Sequence, residues 1–174
     1  MKEILEKISS YNLFNYLLPG TVFVFVLSKI SAYDLVQKDL LIGGFLYYFI
    51  GLIISRIGSV IIEPVLSKLS FIKFAEYSDF VTYSKVDTKI DVLSESNNMY
   101  RTIIALLLCL LLSKLFSWII KVTGMTEIWS YIILILLLLV LFLFSYRKQT
   151  NYITKRIVAN KNNDTQSSRR LTDE

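Results

Sequence analysis

The chain is expected to be an all-α integral membrane protein, with four transmembrane helices and a short helical cytoplasmic segment between the second and third. Three observations predict this. Hydrophobic residues make up 54% of the 174 positions and the mean hydropathy is +0.54, high for a soluble domain. The apolar residues are gathered into four stretches, each near the roughly 20 residues that cross a hydrocarbon core. The 19 Lys and Arg residues are also unevenly placed, and the excess gives a formal charge of +5.

The elements follow in order. Residues 1–12 place Ile4, Leu5 and Ile8 on one helical face, with Lys2, Glu3, Glu6 and Lys7 elsewhere. That is an amphipathic N-terminal segment suited to a membrane surface. It is a poor signal-peptide start, because its acids cancel its lysines and no small-residue cleavage site follows. The first hairpin covers 13–62. Its first span, 13–30, is interrupted by Pro19-Gly20. Proline lacks a backbone donor and crowds the preceding turn, so a kink or break is expected there and Pro19 and Gly20 are a candidate hinge. Asn12 and Asn15 flank the start of the span as capping or inter-subunit hydrogen-bonding groups.

The second span begins at Leu40. Its strictly apolar part, 40–54, is only about 22 Å long at helical rise, so the helix must continue past Arg56 to about Ile62. Gly44, Gly51 and Gly58 recur every seven residues along it, and Ser55 and Ser59 lie beside them. Small residues let helix backbones approach closely. Gly44, Gly51, Ser55, Gly58 and Ser59 are therefore the candidate helix-packing or pore-lining stripe. Arg56 and Glu63 are the candidate charges of a gate or inner mouth, each either snorkelling at the interface or paired between helices or subunits.

Residues 63–101 form a nearly neutral cytoplasmic segment. Pro64 suits the first turn of a new helix after a break. Two apolar faces, Val65/Leu69/Ile72/Phe74 and Phe80/Tyr83/Val86/Ile90/Leu93, predict two amphipathic helices joined near 76–79, with a polar turn at 94–98. The second hairpin, 102–146, holds a third span over 102–120 and a fourth over 128–146. Lys114 and Lys121 sit where they can snorkel, and Trp118 and Trp129 bracket the connecting turn at belt positions. The basic tail, 147–174, extends the fourth helix to about 161, and 162–174 is expected to lack regular structure.

Fifteen of the 19 basic residues fall in the N-terminal segment, the central segment with Arg56, and the tail. Cytoplasmic loops collect Lys and Arg, so both termini and the central segment are placed in the cytoplasm. The same bias makes Arg147, Lys148, Lys155 and Arg156 candidates for contact with anionic lipid or another polyanion.

The chain contains no histidine and one cysteine, Cys109, within a leucine run. Histidine-based nucleophile pairs, general bases and metal sites are excluded, and no Gly-rich phosphate loop or CxxC is present. Asp87 and Asp91, four apart, read as a solvated helix face rather than a metal site. No catalytic residue, metal ligand or cofactor is expected, and the protein is read as a non-enzyme.

With four terse spans, the packing stripe around Gly51 and a small cytoplasmic segment, the chain resembles in size and topology the small multi-span inner-membrane effectors of bacterial anti-phage defence. That resemblance implies a permeabilising effector governed by a cytoplasmic protein or a nucleic-acid-like regulator. The expected function is thus a homo-oligomeric inner-membrane pore or permeability effector, since one copy has too few spans to enclose a conduit. The alternative is a non-conducting anchor or scaffold that recruits a soluble cytoplasmic partner. Membrane lipids are expected partners under both.

Overall fold

The computed structural model describes residues 12–31 and 33–172, with the backbone alone at 127 and 162–172. Except for Asn12, the amphipathic segment expected over 1–12 lies outside the described residues. All regular elements within them are helical. A π-helical turn, Leu13–Leu17, leads into α1 (Leu18–Ile30). α2 (Leu40–Ile57) passes through a second π turn, Gly58–Ile62, into α3 (Glu63–Lys68). α4 (Tyr77–Tyr83), α5 (Lys89–Thr123) and α6 (Glu127–Thr172) follow. Among the described residues, four helical stretches are long and apolar enough to cross a membrane: Leu13–Ile30, Leu40–Lys68, Lys89–Thr123 and Ile128–Lys161.

Tyr16 meets Arg56, and Glu63 meets Arg101 and Lys148, so the apolar helices alternate in direction. Asp39 caps the start of α2 by accepting from the amides of Leu41 (2.8 Å) and Ile42 (2.9 Å), which satisfies two orphan donors. Gly124, at φ 63°, ends α5 and allows the turn into α6. Ser70 takes the same left-handed position after α3 (φ 57°), and the amide of Phe71 reaches back to the carbonyl of Leu66 at 3.0 Å.

Both prolines follow a π turn, and this corrects the break allowed at Pro19-Gly20 and the one expected before Pro64. The helix neither breaks at Pro19-Gly20 nor restarts at Pro64. In an α-helix the Leu18 amide would bond the Phe14 carbonyl; here it bonds Leu13, five residues back. The Glu63 amide likewise bonds Gly58. One widened turn accommodates each proline ring while the chain stays helical. The expected polar turn at 94–98 is also helical, inside α5, where Ser96 Oγ donates to the Val92 carbonyl (3.1 Å). Helix nucleation is the costly step and elongation is cheap, so the helix of the third span simply extends into the polar sequence. The same reasoning covers α6, which runs to Thr172 through the region expected to be irregular.

The core is small. Leu27, Ile54, Ala105, Leu106 and Leu110 form its buried cluster, joined by Phe23 and Ile50. It lies between α1, α2 and α5, and α6 rests on α2 and its π turn. Leu107, Leu111, Leu136, Leu137 and Leu143 are exposed. The surface area is 13442 Å², about one and a half times the ~8,800 Å² expected of a compact soluble monomer of 20.2 kDa. The many exposed leucines of α5 and α6 need a covering phase or partner.

α1 and α2 cross backbone to backbone. A Cβ on Gly20 would overlap the Tyr47 carbonyl and lie 2.8 Å from the Gly51 nitrogen, and one on Gly51 would overlap the Tyr16 carbonyl. Beyond the apolar part of α6, the short α4 docks on its extension. Val81 and Ala159 are buried, the rings of Tyr77 and Tyr152 lie 5.8 Å apart, and Lys85 Nζ donates to Asn160 Oδ1 at 3.0 Å.

Candidate functional site

Polar side chains occupy the bundle interior in three successive layers near the end where α1 begins and α2 finishes. The innermost layer joins three elements. Asn15 comes from the first π turn, Ser55 from α2 and Thr102 from α5, and each is no more than 1% exposed. Asn15 Nδ2 donates to Ser55 Oγ at 3.3 Å. Thr102 Oγ1 lies 2.8 Å from Asn15 Oδ1, 3.3 Å from Ser55 Oγ and 2.9 Å from the Asn98 carbonyl. A hydroxyl has a single proton, so Thr102 can donate to one of these acceptors at a time. Buried amides and hydroxyls need such partners, so the trio fixes the rotation of three helices at once. Thr102→Val, which keeps the shape and removes the hydroxyl, is expected to lower stability by about 1–2 kcal/mol. A shifted midpoint in a thermal melt in detergent checks it.

The second layer is Arg56. Its Nη2 donates to Tyr16 Oη at 3.3 Å, and Tyr16 stands edge-on to Tyr48, centroids 5.5 Å apart. Arg56 Nε is buried with no acceptor among the described residues, and the same holds for Arg101 Nε.

The third layer is an ion cluster. Glu63 pairs with Arg101 from α5 through Nη1 and with Lys148 from α6 at 2.8 Å. Lys148 Nζ also donates to the Ser59 carbonyl at 2.6 Å and sits over the Tyr152 ring, 5.6 Å from its centroid. The π turn explains the contact with Ser59. In α register this carbonyl would receive the Glu63 amide, but that amide is turned to Gly58. In π register its partner would be Pro64, which has no N–H. The carbonyl is left without a backbone donor, and Lys148 supplies one from 89 residues away. Gly58 serves the same cluster. A Cβ there would lie 3.2 Å from both Cγ and the carbonyl of Arg101, so its absence lets Arg101 come close enough to reach Glu63.

The residues singled out in sequence are thus divided. Gly51, Ser55, Gly58 and Ser59 are buried inside one copy of the chain, whereas Gly44 has nothing within 4 Å of where its Cβ would be. Pro19 and Gly20 are buried where α1 meets α2. Arg56 and Glu63 do not form a salt bridge with each other. Lys148 lies within the cluster, Arg147 stands exposed beside it, and Lys155 and Arg156 lie exposed further along α6. In the sequence Asn15 only flanks the span, and no motif marks Tyr16, Arg101 or Thr102. Glu63, Arg101 and Lys148 fall one residue after the second expected span, one before the third and two after the fourth. In an alternating bundle those positions share one end, a signal the sequence carried.

Glu63 is occupied by two cations, and no group of three His, Cys, Asp or Glu residues that could hold a metal occurs among the described residues. Cys109 is a free, partly buried thiol. No protein family, curated protein or solved structure matches the chain. What the site has is charge. Arg101 and Lys148 meet at one carboxylate, Arg56 lies in the layer beside them, and the excess of cations lies between helices rather than in open solvent.

Proposed function

We propose that the protein is a homo-oligomeric permeability effector of the bacterial inner membrane, governed from the cytoplasm and acting without catalysis. The observation that carries this reading is the series of buried polar layers, Asn15/Ser55/Thr102, then Arg56/Tyr16, then Glu63/Arg101/Lys148. Polar and ionisable side chains within membrane-spanning bundles are expensive, and they characteristically face an interior or an aqueous path. Here they begin at the basic end, which the distribution of Lys and Arg assigns to the cytoplasm together with both termini. The exposed faces of α5 and α6 meet lipid, and several copies assemble to complete a conduit. A role in anti-phage defence, under a cytoplasmic protein or nucleic-acid-like regulator, accords with the resemblance in size and topology.

Reconstitution in liposomes tests it. Protein-dependent ion flux that rises with protein density is expected, and bilayers that stay tight with and without cytoplasmic extract would overturn it.

A second reading has its own support. Apart from Gly44, the small-residue stripe is used up within each copy, and α4 docked on the extension of α6 makes a helical platform beyond the apolar region. Both features suit a non-conducting anchor that recruits a soluble partner. Tight liposomes together with capture of a defined cytoplasmic protein would favour this reading.

A further inference from the structure

An open hollow of about 270 Å³ lies between the second π turn and α6, lined by Val60, Phe144, Arg147, Lys148 and Asn151. We infer that it binds the phosphate of an anionic phospholipid, at the edge of the ion cluster. This rests on membrane insertion as proposed above, but not on conduction.

The four α6 residues are spaced i, i+3, i+4 and i+7, so they form one face of the helix. That face changes character within two turns. Phe144, with Val60 opposite it, is apolar and belongs to the expected fourth span. Arg147, Lys148 and Asn151 follow at once. A phospholipid has the same profile, an acyl region joined to an anionic group, and it would lie along α6 with its chain beside Phe144 and its phosphate beside Arg147. The volume is below the roughly 300–1,000 Å³ of pockets that enclose whole small molecules. It suits a headgroup phosphate whose chains remain outside.

The charges favour an anion. Lys148 has three N–H bonds; two are directed to the Ser59 carbonyl and Glu63, and its ammonium faces the Tyr152 ring. It is therefore a fixed positive wall rather than a free donor. Arg147 is exposed and in no ion pair among the described residues. Its guanidinium has the planar fork that matches two phosphate oxygens. Asn151 adds a neutral donor. With Arg101 and Lys148 set against Glu63, the cluster and Arg147 together carry two positive charges beyond the carboxylate. A choline headgroup would bring a further cation to that site, so phosphatidylglycerol is favoured over phosphatidylcholine.

The test uses the full chain in detergent, with native mass spectrometry to count retained lipid and a thermal melt beside it. Phosphatidylglycerol is expected to be retained and to raise the melting temperature, while phosphatidylcholine does neither. Arg147→Gln is expected to reduce phosphatidylglycerol occupancy about tenfold, the scale of one charged hydrogen-bonding contact. Lys38→Gln, a change in an exposed loop at the other end, is the control and should leave occupancy unchanged. Arg147 is exposed, so its lipid-free melt should match the wild type. Equal retention of phosphatidylcholine, equal losses from Arg147→Gln and Lys38→Gln, or protection by inorganic phosphate as strong as by the lipid would each overturn the inference. Liposome flux is scored separately, so a lipid site without conduction, or the converse, is distinguishable.

Discussion

Gly51→Ala is expected to lower the melting temperature of the detergent-solubilised protein by about 10 °C, corresponding to about 3–5 kcal/mol. The substitution adds one methyl group, and on an ordinary helix face it would stabilise, since alanine is the better helix former by about 1 kcal/mol. Here the new Cβ would overlap the Tyr16 carbonyl oxygen, with the Tyr16 carbonyl carbon at 2.6 Å. Its neighbours are main-chain atoms, which cannot swing aside as the end of a side chain can. α1 and α2 must separate. Ser55, four residues along α2 from Gly51, would draw away from Asn15, and their 3.3 Å hydrogen bond would be lost with the packing. Gly44→Ala is the matched control. Nothing lies within 4 Å of that position, so a change of less than about 0.5 kcal/mol is expected for a surface site. A large loss at Gly44 would show that a second copy packs there, a direct check on the proposed assembly.

The contrast between these glycines also marks what the sequence could reveal. A seven-residue repeat of small residues announces a close helix contact, but it does not locate the crossing point. Helices that touch at an angle diverge within a turn or two. Gly51 meets α1 at the crossing and Gly58 admits Arg101 from α5, whereas Gly44 lies towards the other end, where its face is open. The four long helices were legible because apolar length is a strong signal. The continuity of the helices past Pro19 and Pro64 was not. A proline predicts a lost backbone bond, and what compensates for it depends on tertiary contacts. At Pro64 the compensation is a π turn and a lysine 89 residues beyond Ser59 in the chain. The partners of Glu63 were hidden for a related reason. Arg56 is its neighbour along the helix, two turns back, but Arg101 and Lys148 reach it only once three helices are side by side. Helix at 94–98 was obscured because Ser and Asn favour turns locally, and the long apolar helix that overrides them begins only afterwards.

Glu63→Gln is expected to produce the second large effect, a loss of about 2–3 kcal/mol. Removing one partner from a fully buried pair costs about 3–5 kcal/mol. The side chains here retain some solvent, 13% for Glu63, 19% for Arg101 and 24% for Lys148, so the expected value is lower. Glutamine keeps the shape and one acceptor oxygen but leaves Arg101 and Lys148 facing each other without a counter-charge. Lys148→Met should cost less, about 1–2 kcal/mol. It removes the donor to the Ser59 carbonyl, but Glu63 keeps Arg101 and the methionine retains most of the apolar stem. The double substitution relieves part of the repulsion, because only Arg101 then lacks a carboxylate. The two changes should therefore combine to less than their sum, with a coupling of about 1 kcal/mol in a double-mutant cycle of thermal melts. Strict additivity would show that Lys148 is held by the Ser59 carbonyl alone. The ion cluster joins the start of α3 to α5 and α6, so loosening it frees that end of the polar layers without disturbing the Gly20–Gly51 crossing. On the permeability reading, Glu63→Gln should then raise liposome flux per folded protein, whereas Gly51→Ala should lower the folded fraction itself. An anchor would show the same two losses of stability with no flux in either variant.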